Sequence, residues 1–467
     1  MKALFIDLLR LNNDQHGIHS LSAVLNHHGI RTEYLGTRNR AKALQAVARS
    51  RPDVLLYSSF SASLPEIQAF DREAKRLGRW HSVIGGPGVT FDHLAVKDSS
   101  IDAVCVGEGE DALTEYLLGG FQPVKNIVGN GAGLPGDFFP LVNPDQLPFP
   151  DREVIYRTDP LLRDAPSKQI FSGRGCPYRC TYCFNHKFND LFKDHGPVIR
   201  KKSVDYLLEE IRLLQSRYPL SNLHFNDDTF ILDKKWFFEF CGRFPKAFPD
   251  LTYSCNVRAN LLREDVAEAL AASHCLHVTW SIESGQQRFL TEVLKRAMTR
   301  EQIIRAGAML HRHGVRFRVA NLLGLPGETF QDMMDTVALN ITVKPAFALA
   351  NIFVPFPGLA LREYAIDAGH LDPAQPLPRD YFTNSVLNFN RAEKTLIFKT
   401  LCLFPLMVRF PRLYDDSKLR NALYHLPRWL LRVVHDLVSP YYMARWYVVK
   451  TPLRIKLLML LRYLQNL

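Results

Sequence analysis

The sequence lacks the features that mark secreted and membrane-spanning proteins. A secretory signal needs basic residues followed by an apolar run, whereas residues 1–7 read as a buried strand that stops at an acid. The most apolar tract, residues 396–408, is too short to cross a bilayer and contains Lys399 and Pro405. We therefore expect a globular, cytoplasmic protein, and 467 residues allow two or three packed domains.

Cysteine is scarce and irregularly spaced. The eight cysteines do not follow the regular intervals of a secreted disulfide framework, yet Cys176, Cys180 and Cys183 fall within eight residues. Such crowding indicates a metal in a reducing compartment. A GxGxxG fingerprint after the first predicted strand is also missing, which disfavours a nicotinamide cofactor.

Short β-rich runs alternate with helical stretches over residues 1–130. This alternation predicts an α/β domain with a Rossmann-like or flavodoxin-like parallel sheet between two layers of helices. In such sheets ligands bind beyond the carboxyl ends of the strands, and the glycine-rich segments 85–88 and 107–109 are predicted to lie there.

A second series of strands and helices is predicted over residues 165–385. Residues 131–164, rich in Gly, Pro and Asp, separate it from the first series and predict a linker. Six strand-helix repeats fit a partial (β/α)6 barrel, whose reactive groups lie on the loops after the strands. Residues 386–467 predict a mainly helical C-terminal region.

The three clustered cysteines stand between a predicted strand and the next helix, with the spacing C-x3-C-x2-C. Three thiolates on so short a loop can each bind one iron of a cubane cluster and leave the fourth iron open for a ligand. The alternative is a zinc loop, but closed zinc sites need four ligands, and the nearest candidate for the fourth, His186, would crowd the same loop.

Four further motifs follow the cysteines: Asn226-Asp227-Asp228-Thr229-Phe230, Arg258-Ala259-Asn260, Ser281-Ile282-Glu283-Ser284-Gly285 and Gly324-Leu325-Pro326-Gly327-Glu328-Thr329. In order and spacing, residues 165–360 resemble the radical S-adenosylmethionine (SAM) superfamily, in the branch that includes anaerobic magnesium-protoporphyrin ester cyclase. The resemblance implies that Cys176, Cys180 and Cys183 hold a 4Fe-4S cluster. This cluster, fed by an external electron donor such as flavodoxin or ferredoxin, would cleave SAM to methionine and a 5'-deoxyadenosyl radical.

The same motifs supply the candidate residues for catalysis and for SAM. Asp228 follows a strand and could accept hydrogen bonds from a ribose or transfer a proton, or it could cap a helix. Glu283 could bind the SAM ammonium or ribose and act in catalysis, or lie at the surface. Arg258 offers a fork suited to the SAM carboxylate, or to a neighbouring Asp. Gly324 and Pro326 form a turn that could approach a planar ring, or simply join a strand to a helix.

The first domain resembles the cobalamin-binding domain of one large radical SAM branch. Its Asp-x-His-x-x-Gly signature is partly present, because Asp14 and His16 match while His19 replaces the Gly. Ser58 ends the third predicted strand, and Gly85 and Gly86 end the fourth, where a nucleotide tail needs bare backbone. The resemblance implies cobalamin, with His16 either as the cobalt ligand or as a loop histidine; the alternative is a domain kept only as scaffold.

The excess positive charge lies at the end of the chain. Of the net charge of +11, residues 391–467 contribute +10, with 14 Lys and Arg against 4 Asp and Glu. Basic residues alternate there with apolar and aromatic ones, as in helices that lie on anionic membranes. A helical subdomain that covers the active site is the alternative. No RNA-binding signature accompanies the charge, so no nucleic acid is expected. A lipid-like or other small-molecule substrate suits either arrangement, and the membrane arrangement would place the protein at the inner membrane surface.

These features together predict a cobalamin-dependent radical SAM enzyme that methylates an unactivated carbon. A radical cyclase or rearrangement enzyme without net methylation would use the same domains. A cobalamin-binding protein without catalysis is the alternative outside the enzymes.

Overall fold

The computed structural model describes residues 1–10, 13–378, 382–446, 449 and 451–464. The strands in these ranges are β1 (Lys2–Asp7), β2 (Arg31–Gly36), β3 (Val54–Ser58), β4 (His81–Gly85), β5 (Ala103–Cys105), β6 (Ile127–Gly129), β7 (Ser167–Ile170), β8 (Gly173–Arg174), β9 (Arg200–Lys201), β10 (Asn222–Phe225), β11 (Thr252–Asn256), β12 (Cys275–Glu283), β13 (Arg316–Leu323) and β14 (Phe347–Ile352).

The α-helices are α1 (His16–His27), α2 (Arg40–Ser50), α3 (Leu64–Leu77), α4 (Pro87–Thr90), α5 (Glu110–Leu118), α6 (Glu153–Tyr156), α7 (Pro160–Asp164), α8 (Phe184–Leu191), α9 (Val204–Arg217), α10 (Lys234–Ala247), α11 (Glu264–Ala272), α12 (Arg300–Arg312), α13 (Phe330–Val343), α14 (Ala360–Asp367), α15 (Arg391–Arg409), α16 (Arg412–Asp415), α17 (Ser417–His425), α18 (Arg428–Trp446) and α19 (Leu453–Leu464). Capping boxes begin several of them, such as Thr329 with Asp332 on α13.

The chain forms two units, each with its own sheet. The first comprises Met1–Pro177, Lys187–Leu220 and Thr451–Leu467. Its main sheet has the strand order β2-β1-β3-β4-β5-β6, in which only β6 runs antiparallel to its neighbour. Buried aliphatic residues of β1, β3 and β4 pack in one core with residues of α2, α3 and α4. The predicted flavodoxin-like domain is thus confirmed, and its order reverses between β1 and β3, where such sheets bind ligands.

The segment predicted as a linker has structure of its own within the first unit. Residues 131–164 contain α6 and α7, and the side chains of Val154, Ile155 and Tyr156 on α6 are buried. Arg152, just before α6, is also buried and pairs with Asp14 at 3.3 Å. The predicted domain boundaries stay a prediction.

The second unit comprises Tyr178–His186 and Ser221–Lys450. Its strands β10 to β14 are parallel and pair in chain order, with α10, α11, α12 and α13 between them. Five of the six strands expected for the barrel-like domain, β10 to β14, lie in this unit, and the first, β7, lies in the stretch assigned to the first unit. The alternation of strand and helix is confirmed. A register shift between Ser281 and Glu283 marks the end of β12.

The apolar tract of the sequence lies in α15, which belongs to the second unit. Ile397, Leu401 and Phe404 of this helix are buried, and the helix packs on β14 and α13. Within the described ranges, none of the helices has the length and apolar character needed to traverse a bilayer. The tract is therefore part of a core.

Candidate functional site

The loop that carries Cys176 begins directly after β8. Gly175 has φ +91°, and a Cβ at this position would lie 1.8 Å from the carbonyl oxygen of Val198. Only glycine fits there without moving the backbone. Asn189 Nδ2 donates to the Cys176 carbonyl at 2.9 Å, which holds the residue that follows this turn.

Cys180 and Cys183 lie one turn apart in the second unit. The Cys183 amide donates to the Cys180 carbonyl at 3.1 Å, and His186 Nδ1 lies 3.0 Å from the same oxygen. That nitrogen of His186, the residue considered as a zinc ligand, therefore faces backbone. All eight cysteines are free, and among the described residues no three His, Cys, Asp or Glu side chains form a single-ion site. The cysteines that hold a 4Fe-4S cubane each bind a different iron, so a cluster does not require three side chains to converge on one ion.

Arg258 lies beside a cysteine sulfur. Its side chain is buried, with Nη1 at 3.6 Å from Cys180 Sγ and the guanidinium 3.7 Å from the centre of the Tyr178 ring. Nη2 donates to the Arg296 carbonyl, while Nε is buried without a hydrogen-bond partner in the described structure. A fixed cation here compensates the negative charge that a thiolate ligand brings to a cluster, so the loop fits such a group.

Glu283 ends β12 in an unusual backbone conformation. It has φ +68°, rare for a residue with a side chain, and it is only 6% exposed, so it is not a surface carboxylate. It accepts a hydrogen bond from the Tyr182 hydroxyl at 3.0 Å and pairs with Arg296 Nη1 at 3.2 Å. Burial raises the pKa of Glu283, against the opposing charge of Arg296.

The two aspartates after β10 differ in environment. Asp227 is buried and its carbonyl accepts a hydrogen bond from Asn256 Nδ2 at 3.0 Å, whereas Asp228 is exposed. Neither caps the next helix, because Asp233 accepts from the Trp236 amide and caps α10. The helix-cap alternative for Asp228 is therefore wrong, and Asp227 is the more enclosed carboxylate.

The turn after β13 is closed by a buried carboxylate. Glu328 Oε2 accepts from the Gly324 amide at 2.5 Å and from the Leu325 amide at 3.1 Å. Burial raises the pKa of Glu328 to about 8. Gly324 has φ +71°, and a Cβ at this position would lie 3.3 Å from the Ile397 side chain of α15. Pro326 completes the turn between Leu325 and Gly327, and a contact of this turn with a planar ring stays a prediction.

A narrow pocket opens where the order of the first sheet reverses. Ile6, Asp7 and Leu8 at the end of β1 line it together with Gln15, Ile18, Ser58, Phe60 and Ser63. Nearby, Gly86 has φ +92°, and a Cβ there would lie 2.8 Å from the Ser59 carbonyl oxygen. Gly85 ends β4 without such crowding. The pocket combines apolar and hydroxyl side chains and lies at the switch point, where sheets of this kind bind ligands.

His16 begins α1, with its ring 4.5 Å from that of Phe171. Burial lowers the pKa of His16 well below its ordinary value, so the ring is neutral. Asp14, the first residue of the signature, accepts from the Tyr156 hydroxyl at 2.7 Å and the Gln169 amide at 2.9 Å.

Asp14 also pairs with Arg152 at 3.3 Å and lies 3.4 Å from His19 Nε2. Burial works to raise the pKa of Asp14, but the charge of Arg152 and the contact with His19 hold it well below its usual range. His19, which stands where the signature has Gly, thus takes a place beside Asp14.

Two family models match the chain in these regions. One, described as the radical SAM superfamily, matches residues 170–339, and the other, described as the B12 binding domain, matches residues 10–117. The chain thus contains a radical SAM domain and a B12 binding domain. It is therefore an enzyme that uses a 4Fe-4S cluster and SAM, and its first domain binds cobalamin. A small-molecule substrate and an external electron donor accompany this class. The cobalamin-binding protein without catalysis is not supported.

Individual relatives include a methyltransferase and a cyclase. An uncharacterized methyltransferase of Pyrococcus horikoshii, PH0819, is 28% identical over 327 residues, which are 68% of this chain and 70% of the relative. The anaerobic magnesium-protoporphyrin IX monomethyl ester cyclase of Rubrivivax gelatinosus is 25% identical over 295 residues, which are 59% of this chain and 51% of the cyclase.

A solved structure shares the fold. The radical SAM methyltransferase TsrM from Kitasatospora setae, with cobalamin and a [4Fe-4S] cluster bound, superposes with a TM-score of 0.64 at 19% identity. The likeness covers 80% of this chain and 76% of TsrM.

Proposed function

We propose that the protein is a cobalamin-dependent radical SAM methyltransferase that methylates an unactivated carbon. The proposal rests on one observation: the same chain contains the cysteine loop beside Arg258 and a domain that matches the B12 binding domain. One relative, matched over 68% of this chain and 70% of its own length, is named a methyltransferase.

In this proposal Cys176, Cys180 and Cys183 hold the cluster, which when bound supplies one electron to the sulfonium of SAM. Arg258 lies against Cys180 and offers its buried Nε, which has no partner among the described residues, to an anionic group such as the SAM carboxylate. Glu283 takes the SAM ammonium or ribose.

The remaining candidates serve orientation, proton transfer and cobalamin. The backbone at Gly324 and Pro326 supports the ring of SAM. Asp228, beyond the carboxyl end of β10, accepts or transfers a proton. Ser58, Gly85 and Gly86 hold the cobalamin tail, and His16 presents a neutral imidazole to the cofactor.

A radical cyclization or rearrangement is the second candidate, favoured by the similarity to the protoporphyrin ester cyclase. That match spans about half of the cyclase. Product mass separates the two reactions, because methylation adds one carbon to the substrate and cyclization adds none.

The test begins with anaerobic reconstitution with iron, sulfide and hydroxocobalamin, followed by metal analysis, absorbance and assay of SAM products. One cluster with stoichiometric cobalamin, yielding 5'-deoxyadenosine and S-adenosylhomocysteine, supports methyl transfer. Replacement of Cys176, Cys180 and Cys183 by Ala should abolish cluster and SAM cleavage, whereas the control Cys275→Ala should keep both. Cleavage by the triple variant would refute the assignment of the ligands.

We also propose peripheral contact with a membrane from the cytoplasmic side, and with it a lipid-like substrate. Helix α19 packs on the first unit through Ile455, which is buried against Leu161, and through Arg462, which pairs with Asp159 at 2.7 Å. Its other face exposes four leucines and two cations to solvent: Leu453, Leu457, Leu460, Leu461, Arg454 and Lys456. Outward leucines beside cations suit an anionic bilayer surface.

Vesicle binding tests this contact. The double variant Leu457→Ser/Leu461→Ser should bind anionic vesicles at least about tenfold more weakly, because burying one leucine is worth about 1.5–3 kcal/mol. The control Leu118→Ser alters an exposed leucine on α5 and should bind as the wild type does. Equal affinity for all three proteins would contradict membrane contact through α19.

A further inference from the structure

The cysteine loop is supported from one side by the segment that joins β12 to α12. Thr181, between the second and third cysteines, donates its amide to the Leu294 carbonyl at 3.1 Å and its hydroxyl to the Val293 carbonyl at 2.7 Å. The Arg296 carbonyl accepts from Arg258. Three carbonyl acceptors of this segment, those of Val293, Leu294 and Arg296, thus hold groups next to Cys180.

The side chain of Arg296 connects the same elements as its backbone does. Nη1 contacts the Tyr182 hydroxyl and pairs with Glu283 Oε1 at 3.2 Å, while Nη2 donates to the Ser281 carbonyl at 2.8 Å. The Arg296 side chain is buried. One planar fork therefore ties the cysteine loop to the end of β12, a geometry that a lysine cannot reproduce.

The backbone around Arg296 is held in a costly conformation. Its neighbours Lys295 and Ala297 have φ +47° and +48°, and the segment follows a π-helical turn over Phe289–Val293. Left-handed residues with side chains persist only where the surroundings impose them, and they concentrate at functional sites. Here the strain places both the carbonyl and the guanidinium of one residue against the loop.

We propose that Arg296 is a positioning residue that fixes the Cys180–Cys183 loop relative to Glu283 and Arg258. This inference rests on the proposed cluster site and names the residue that orders it. Arg296 acts through Tyr182, Glu283 and Arg258 and does not itself contact a cofactor. Partners behind metal ligands typically change metal affinity or activity by about 10–100-fold when replaced.

The test compares Arg296→Lys, which keeps the charge and loses the fork, with wild type and with the control Arg305→Lys on the exposed side of α12. In the apoprotein, hydrogen exchange of peptides that cover residues 178–186 should accelerate in Arg296→Lys only. After reconstitution, the reduced cluster should show a shifted EPR spectrum, and the rate of SAM cleavage should fall about 10–100-fold.

A second variant tests the same inference if Arg296→Lys does not fold. Tyr182→Phe removes the hydroxyl that links the loop to the pair, and it should produce the same direction of change in exchange and spectrum. The inference would be overturned if folded Arg296→Lys showed the same hydrogen exchange, EPR spectrum and cleavage rate as wild type. If Arg296→Lys does not fold, the same result in Tyr182→Phe would overturn it. Wild-type protein without a cluster or SAM cleavage would instead refute the proposed function.

Discussion

Replacement of Glu328 by Gln should flatten the pH dependence of unfolding between about pH 5 and pH 8. The carboxyl is buried in the turn after β13, and its pKa is raised from 4.5 to about 8. Between these two values the unfolded chain has released the proton while the folded chain retains it. The free energy of unfolding must then fall as the pH rises, by about 1.4 kcal/mol per pH unit.

The interval of 3.5 pH units between 4.5 and about 8 sets the total effect. Across this interval the ionisation of Glu328 lowers the free energy of unfolding by about 4–5 kcal/mol, and the decrease is complete above the folded pKa. Gln can still accept from the Gly324 and Leu325 amides, but its amide nitrogen would occupy the place of Oε1, which has no hydrogen-bond partner in the described structure. That cost, about 1–3 kcal/mol, does not vary with pH.

The assay is urea unfolding at half-unit steps from pH 5 to pH 8, followed by tryptophan fluorescence. The quantity of interest is the stability of wild type minus that of Glu328→Gln, which should decline steadily across the range. Glu363→Gln, on the exposed side of α14, serves as the control and should track wild type. A wild-type minus Gln difference that stays constant with pH would refute the reasoning.

Two other perturbations follow from the geometry of the first unit. Gly175→Ala should displace the backbone before Cys176 and lower iron incorporation several-fold in reconstitution, because its Cβ would meet the Val198 oxygen; Gly242→Ala, with open space around it, should retain full iron content. Asp14→Ala should destabilise the unit by about 3–5 kcal/mol, measured by urea unfolding, since it leaves the Arg152 charge buried alone. Because the folded pKa of Asp14 is depressed, its stabilisation holds near neutral pH and is lost as the pH falls below about 4; an Asp14→Ala variant as stable as wild type at pH 7 would contradict this.

Local patterns were sufficient to predict the sheets and the cysteine loop. Strand periodicity could have gone further, since residues two apart share a face, and the buried Leu223 and Phe225 place Asp227 on the inner side. The choice of Asp228 over Asp227 as the catalytic candidate overlooked this alternation, although the role of either residue stays a prediction.

Arg296 and α19 could not be found in this way. Arg296 belongs to no motif, and its contacts join segments more than 100 residues apart, such as Tyr182, by packing that the sequence does not encode locally. The pattern of α19 predicts a helix, but which face packs depends on Leu161 and Asp159, some 300 residues earlier in the chain.

The order in which the chain visits its two units has a practical consequence. The first unit is assembled from three separate stretches and the second from two, with the nine residues Tyr178–His186 belonging to the second unit while both flanking stretches belong to the first. No single cleavage therefore releases either unit as one continuous fragment. Expression of one half alone would leave part of a hydrophobic core without the residues that pack against it. Removal of everything after Asn390 would delete α15 from one unit and α19 from the other. The biochemistry of this enzyme is best pursued on the whole polypeptide, with point substitutions in place of deletions.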